Sequence, residues 1–258
     1  MIDLDRAKQE ELAQRGAAIL PQHGICYLAM EVRTGKTWTV FRILQLAGFK
    51  TVLFLTKKKA MPGVWKEWGE FTGGVGMSLH ILNYEQLHNL GTELQQLIDV
   101  VVLDEAHSGI ASFPKPSKTA QAVKQVIGNL PVLYLSGTPS PESYSQLFHQ
   151  FWVSAYSPWR NYINFYKWAK DYVDVRKKKI KGFDVNDYSR ADKAKIMEEV
   201  SPFMITLTQK EAGIMHLTRE VILEIPMPEA IRRLVKVIVR DKVYVMKDEE
   251  VILADDPA

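Results

Sequence analysis

Two adjacent carboxylates, Asp104 and Glu105, follow the apolar run Val100-Val-Val-Leu103, and His107 stands two residues further on. Paired acids at a strand end suit a site where one carboxylate holds a divalent cation through its water shell and the other polarises an attacking water. Upstream, Arg33-Thr-Gly-Lys-Thr37 closes the apolar run Ile25–Met30. A phosphate cradle needs backbone N–H groups at a helix start, a lysine for the β- and γ-phosphates and a hydroxyl for Mg²⁺. Thr34 and Gly35 supply backbone, Lys36 the charge and Thr37 the metal-ligating hydroxyl. Downstream, Leu135-Ser-Gly-Thr-Pro139 closes a third apolar run and offers the hydroxyls of Ser136 and Thr138. A turn before a helix also favours glycine, and an acidic turn can simply end a strand. The ordered trio is what points to nucleotide hydrolysis. His107 either relays the state of that site or bonds locally.

These segments need a scaffold that brings strand ends together. Ile25–Met30, Thr51–Leu55, Met77–Leu82, Val100–Leu103 and Val132–Leu135 read as buried strands. Between them Lys36–Leu46, Ala60–Trp68, Tyr84–Leu90 and Lys118–Ile127 carry helical spacing, with Asn83 and Gln86 placed as a capping box. Strands alternating with helices predict βαβ units and a mostly parallel sheet, whose ligands bind at the carboxyl ends of strands. Beyond residue 150, Tyr162, Phe165, Tyr166, Ala169, Tyr172 and Val173 form an aromatic stripe at helical spacing, read as a packed core face. Arg176–Lys181 reads as a loop or hairpin, Arg190–Glu199 as a helix, Val221–Met227 as alternating, and Val243–Met246 as strand-like.

The chain has 258 residues, a net charge of +3 and one cysteine, Cys26, inside an apolar run. No disulfide framework is possible, and no apolar run reaches the ~18 residues of a membrane span. The acidic start lacks the layout of a signal peptide, so an intracellular, cytoplasmic protein without a membrane partner is expected. Charge is uneven: Arg160–Lys181 holds eight Lys/Arg against two Asp. That excess predicts a surface facing a polyanion through Lys177, Lys178 and Lys179, with a solvated basic loop as the alternative. Lys57, Lys58 and Lys59 follow a strand end and could likewise touch phosphates or simply be solvated.

Together these residues resemble superfamily-two DNA helicases and translocases, in the chromatin-remodeller and phage-helicase branch. Arg33–Thr37 is similar to motif I, Asp104–His107 to motif II, and Ser136–Pro139 to motif III. Asn83–Leu87, Val64–Trp68 and Ser201–Lys210 resemble flanking segments of the same first lobe. The resemblance implies an α/β fold, a RecA-like P-loop NTPase lobe with a mostly parallel sheet flanked by helices, plus a helical and basic appendage. It implies a lobe over residues 1–155, the appendage over 156–205, and over 206–258 the lobe's end, a hinge or the start of a second lobe. It further implies ATP and Mg²⁺ as cofactors, with Lys36, Asp104 and Glu105 catalytic and Thr37 and Asp104 on the metal. Arg33, Thr34 and Gly35 join them at the nucleotide, while His107, Ser136 and Thr138 couple it to a nucleic-acid track, by analogy double-stranded DNA. Gln9 is a candidate for the glutamine that reads adenine; a surface glutamine on a helix, with Gln14 nearby, is the alternative.

Two departures stand out. Met30 occupies the first glycine position of the usual phosphate loop, and Arg33 replaces another motif I glycine. No Gln-x-x-Gly-Arg-x-x-Arg element occurs, so the arginines worth ~10³–10⁵ in rate in related phosphoryl transfer are missing. Loose ATP binding and poor hydrolysis are therefore expected of the chain alone, with a second motor lobe supplied in cis or in trans. The motor part of a restriction or recombination complex, and a non-hydrolysing nucleic-acid-binding module, are the other readings. Absence of Asn-Lys-x-Asp and Leu-Ser-Gly-Gly elements argues against a GTPase and a transporter ATPase.

Overall fold

A computed structural model describes residues 6–71, 76–180 and 183–214, together with 228–229, 231–233, 235–236, 243–245 and 251–253. The alternation expected over Val221–Met227 lies outside the described residues. Two compact units divide at Met215 and His216.

The first unit opens with helix α1 (Arg6–His23) and strand β1 (Ile25–Met30), then α2 (Lys36–Leu46), β2 (Thr51–Thr56) and α3 (Met61–Glu70). Next come β3 (Ser78–Asn83), a 3-10 turn over Tyr84–Asn89, α4 (Thr92–Leu97), β4 (Val100–Leu103), α5 (Ala106–Gly109), α6 (Lys118–Ile127) and β5 (Val132–Ser136). Helices α7 (Gln146–Trp152) and α8 (Phe165–Tyr172), strands β6 (Arg176–Ile180) and β7 (Phe183–Asp187), helix α9 (Lys193–Val200) and strand β8 (Met204–Leu207) complete it. The main sheet is α/β in character, with order β3-β2-β4-β5-β1-β8 and every pairing parallel. The five expected strands are present within a residue of their expected ends. The Tyr84 segment forms a 3-10 turn where a helix was expected, and the Asn83 side chain does accept from the Gln86 amide.

Alternation along each strand sends side chains to two faces. Cys26, Leu28, Val52, Phe54, Val100, Val102, Leu133 and Leu135 meet α1, α2 and α3. Burial pushes the Cys26 thiol up to about 12, so it serves as a small apolar residue. Tyr27, Leu53, Leu55, Val101, Leu103, Val132 and Tyr134 meet α6, α7, α8 and α9 on the other face. Helices on both faces are what an all-parallel sheet requires. Helix α1 lies tight on α2 because Gly16 has no Cβ; one there would sit 2.5 Å from the Ile43 Cδ1 atom.

The segment 156–205, set apart by composition, shares the second face's core. Trp159, Phe165, Trp168, Tyr172, Ile196, Val200 and Phe203 are buried in one cluster with Tyr27 and Tyr134. In α8 the inward positions are Phe165, Trp168, Ala169 and Tyr172, spaced i, i+3, i+4 and i+7. Tyr166, expected on that face, is exposed, because packing of Phe165, Trp168, Ala169 and Tyr172 into the core places position 166 outside the inward stripe. Strands β6 and β7 form a separate antiparallel ribbon, so Arg176–Lys179 takes the hairpin alternative.

In the second unit, β9 (Val243–Val245) pairs antiparallel with β10 (Val251–Leu253). Among the described residues no helix is long and apolar enough to cross a membrane.

Candidate functional site

Parallel pairing aligns the carboxyl ends of the strands. Ala29 on β1 stands opposite Ser136 on β5, Leu103 on β4 opposite Tyr134, and Leu55 on β2 opposite Leu103. The loops after β1, β4 and β5 therefore leave from one edge, and all three signature segments meet there.

The loop after β1 ends at Gly35, whose φ of 80° and ψ of 32° open α2 in a left-handed conformation that glycine adopts freely. Thr34 is buried, with its hydroxyl donating to the Glu31 carbonyl at 2.7 Å. Lys36 curls back to donate to the carbonyls of Met30 at 2.8 Å and Glu31 at 3.1 Å. A Cβ placed on Gly137 would be 3.7 Å from the Lys36 Nζ atom, so the loops after β1 and β5 touch at this amine. Burial holds the Lys36 pKa below the usual lysine range, although Glu105, Asp104 and Glu31 pull it upward. Lys36 in turn lowers the Asp104 pKa, the least of the influences on that carboxyl.

Asp104 is fixed from several sides. The Thr56 hydroxyl donates to its Oδ2 atom at 2.7 Å, the Glu105 amide to its Oδ1 atom at 3.0 Å, and the Tyr84 hydroxyl to its carbonyl at 2.7 Å. Burial nonetheless raises its pKa, with Glu105 adding repulsion and Thr56 opposing the shift. A nearby cation would lower that pKa again. Among the described residues only Arg33, at φ 65°, and Glu105, at φ 50°, are non-glycine residues with left-handed backbone. Each costs about 1–2 kcal/mol of local strain, and both lie in this site. The missing glycine at Arg33 thus leaves the loop strained there.

His107 Nδ1 lies 2.7 Å from the Ser136 hydroxyl and 3.3 Å from Glu105 Oε2. A serine–histidine–acid relay needs both ring nitrogens, one for each partner, and here one nitrogen faces both. Ser136 is also fully buried, so these three side chains do not form a nucleophilic relay. Burial, with Lys57 and Lys36 adding repulsion against the pull of Glu105, keeps the His107 pKa below its usual value. The Ser136 hydroxyl also receives the Thr138 amide at 3.1 Å. The chain Glu105–His107–Ser136–Thr138 joins the loops after β4 and β5.

Thr37 lies in the first turn of α2, near the Glu67 carboxyl of α3. Glu67 is exposed as a residue, but burial of its carboxyl end raises its pKa; a hydrogen bond from Thr37 opposes the shift, and Glu70 and Asp104 add repulsion. Among the described residues no group of three His, Cys, Asp or Glu side chains can hold a metal by itself. Thr37 and Asp104 offer one hydroxyl and one carboxylate, oxygen donors of the kind Mg²⁺ takes when phosphates and water supply the rest of its shell.

Gln9 is not the surface glutamine of the alternative reading: it is 2% exposed on α1, with its Nε2 atom donating to the Thr34 carbonyl at 3.1 Å. Lys57, Lys58 and Lys59 form an exposed turn directly after β2, at the same edge. Lys177, Lys178 and Lys179 lie on β6, outside the main sheet, where Lys178 stands opposite Val185 and Lys179 opposite Asp184. Arg176 binds Asp174 at 2.9 Å, and Lys178 and Arg190 help hold the Asp187 carboxyl below its usual range, behind its bonds to Ser189. Neighbouring acids balance part of the basic excess in this ribbon.

Spacing gave no sign of four further residues. Thr56 and Tyr84 hold Asp104. Buried Gln150 accepts from the Tyr27 hydroxyl at 2.7 Å and donates to the Pro139 carbonyl at 2.8 Å, tying β1 to the loop after β5. His149 bonds the Ser112 carbonyl just beyond α5. Only Tyr84, inside the Asn83–Leu87 segment, carried a sequence signal. No protein-family model matches the chain, and no curated protein matches it.

Proposed function

We propose that this chain is the ATP-binding lobe of a nucleic-acid-dependent ATPase of the helicase or translocase type. The supporting observation is the meeting of Lys36, Asp104 and Glu105 at one sheet edge, where each changes the proton affinity of a neighbour. Lys36 leaves its two carbonyl partners for β- and γ-phosphate oxygens, and the amides from Gly35 onward face the same charge at the start of α2. Thr37 and Asp104 hold Mg²⁺, which when bound screens the triphosphate charge. Glu105 orients the attacking water and accepts its proton; His107, Ser136 and Thr138 register whether the γ-phosphate is present. The P-loop reading of the fold, ATP and Mg²⁺ as cofactors, and double-stranded DNA as the track all rest on the motif resemblance together with this geometry. A second lobe, in cis or in trans, supplies the missing arginines. Lys57–Lys59, at the same edge, are better placed than Lys177–Lys179 to touch the track.

The test is titration of the 258-residue chain with Mg²⁺-ATP, beside Lys36→Ala. Saturable binding that Lys36→Ala abolishes is the expected result. Undiminished binding by that variant removes Lys36 from the site. Addition of duplex DNA and a second motor lobe is expected to raise turnover; no stimulation by any nucleic acid overturns the motor reading.

A further inference from the structure

The position of Gln9 bears on what this site recognises, and the inference rests on the nucleotide reading above. Gln9 sits on α1 behind the loop that precedes α2. Its Nε2 atom donates to the Thr34 carbonyl at 3.1 Å, and its Oε1 atom accepts from the Arg6 guanidinium at 2.7 Å. A Cβ built on Gly35 would fall 2.1 Å from that same Nε2 atom, so the amide presses directly on the glycine backbone. The residue is 2% exposed, and α1 is locked against α2 by the close approach at Gly16. To read a base edge the amide would have to leave both partners and the space against Gly35. Beside it, the Arg6 guanidinium carbon lies 4.7 Å from the Trp38 ring centroid, so Arg6 is held between Gln9 and that ring.

We propose that Gln9 is a positioning residue for the triphosphate, acting through Thr34 and Gly35, and does not read the base. Its buried hydrogen bond sets the loop in the shape that any nucleoside triphosphate meets. It therefore contributes to phosphate affinity and nothing to the choice between adenine and guanine.

Isothermal titration with Mg²⁺-ATP, Mg²⁺-GTP and Mg²⁺-tripolyphosphate, which has no base, separates the two roles. Gln9→Met keeps the volume and removes the amide; Gln9→Ala removes both while keeping a strong helix former. Each is expected to weaken all three ligands by the same factor, about tenfold for one buried hydrogen bond, with the ATP-to-GTP ratio unchanged. Leu20→Val, at the far end of the same helix, perturbs α1 packing without touching the loop and is expected to leave all three affinities as they are. Loss of ATP affinity alone, with GTP and tripolyphosphate retained, overturns the proposal in favour of a base reader. Unchanged affinities in both Gln9 variants, or an equal loss in Leu20→Val, overturn it too. A wild-type chain that takes up none of the three ligands instead defeats the nucleotide reading itself.

Discussion

At the carboxyl edge of the parallel sheet, Lys36, Asp104 and His107 are each held by partners from other elements; on the β6–β7 ribbon, Lys177, Lys178 and Lys179 stand exposed, and Lys179 faces an acid across the strands. Both regions were conspicuous in the sequence. One gathers groups whose proton affinities burial has shifted, on strained and tightly bonded loops. The other is a solvated ribbon anchored through the aromatic residues of α8. Spacing after buried strands marks chemistry because folding must bring those strand ends together. Linear charge marks only an excess, which neighbouring acids can balance.

The sharpest way to break this contrast is Glu105→Gln in a two-lobe protein. Removing a general base is expected to lower turnover about 10²–10⁴-fold while nucleotide affinity stays as it was. Single-turnover hydrolysis beside equilibrium binding checks this, and a parallel fall in affinity would make Glu105 a binding group.

His149 should dominate the acid side of stability. Its pKa is pushed down to about 4, chiefly by burial, from an unfolded value near 6.5. A depressed value means that the unfolded chain binds the proton first. Stability is complete above about pH 6.5 and is lost as pH falls through about 4, by about 3 kcal/mol in all. Denaturant melts across that range should show the slope in the wild type and its loss in His149→Gln. A wild type with no slope there would mean that His149 is not desolvated.

Next in size, Gln150→Leu leaves the buried Tyr27 hydroxyl without its Gln150 acceptor and the Pro139 carbonyl without this donor, and is expected to cost about 1–3 kcal/mol. If the loop after β5 depends on this tether, amide exchange at Gly137 and Thr138 should quicken more than elsewhere in the core.

The smallest effect belongs to the ribbon. Replacing Lys177, Lys178 and Lys179 by alanine should leave melting unchanged. It should also lower the salt slope of DNA binding by less than the roughly 0.9 per phosphate contact that three free lysines would give. The same change at Lys57–Lys59 should lower it more. The reverse order would move the track to the ribbon.

Strand positions β1, β2, β4 and β5 were legible because four to six apolar residues in a row have few other ways to be buried, and β3 because its apolar residues fall close to alternation. The ends of β1 and β4 and both ends of α2 and α6 were readable from these residues alone. The inward face of α8 was less so, since Tyr166 and Trp168 are both aromatic and only tertiary packing decides which turns inward. The supports of the site were not legible. Thr56 and Gln150 lie 48 and 11 residues from the atoms they hold, and only the assembled sheet makes them neighbours. Gln9 was visible as a candidate, but its burial against Gly35 was not.

The account stands on Lys36 and Asp104 sharing one bound triphosphate. A double-mutant cycle on Mg²⁺-ATP affinity, with Lys36→Met, Asp104→Asn and both together, tests that directly. Groups acting on one ligand should couple by more than about 0.5 kcal/mol, so that the second change costs far less once the first is made. Fully additive losses would mean that the lysine and the carboxylate serve separate surfaces, and would contradict it.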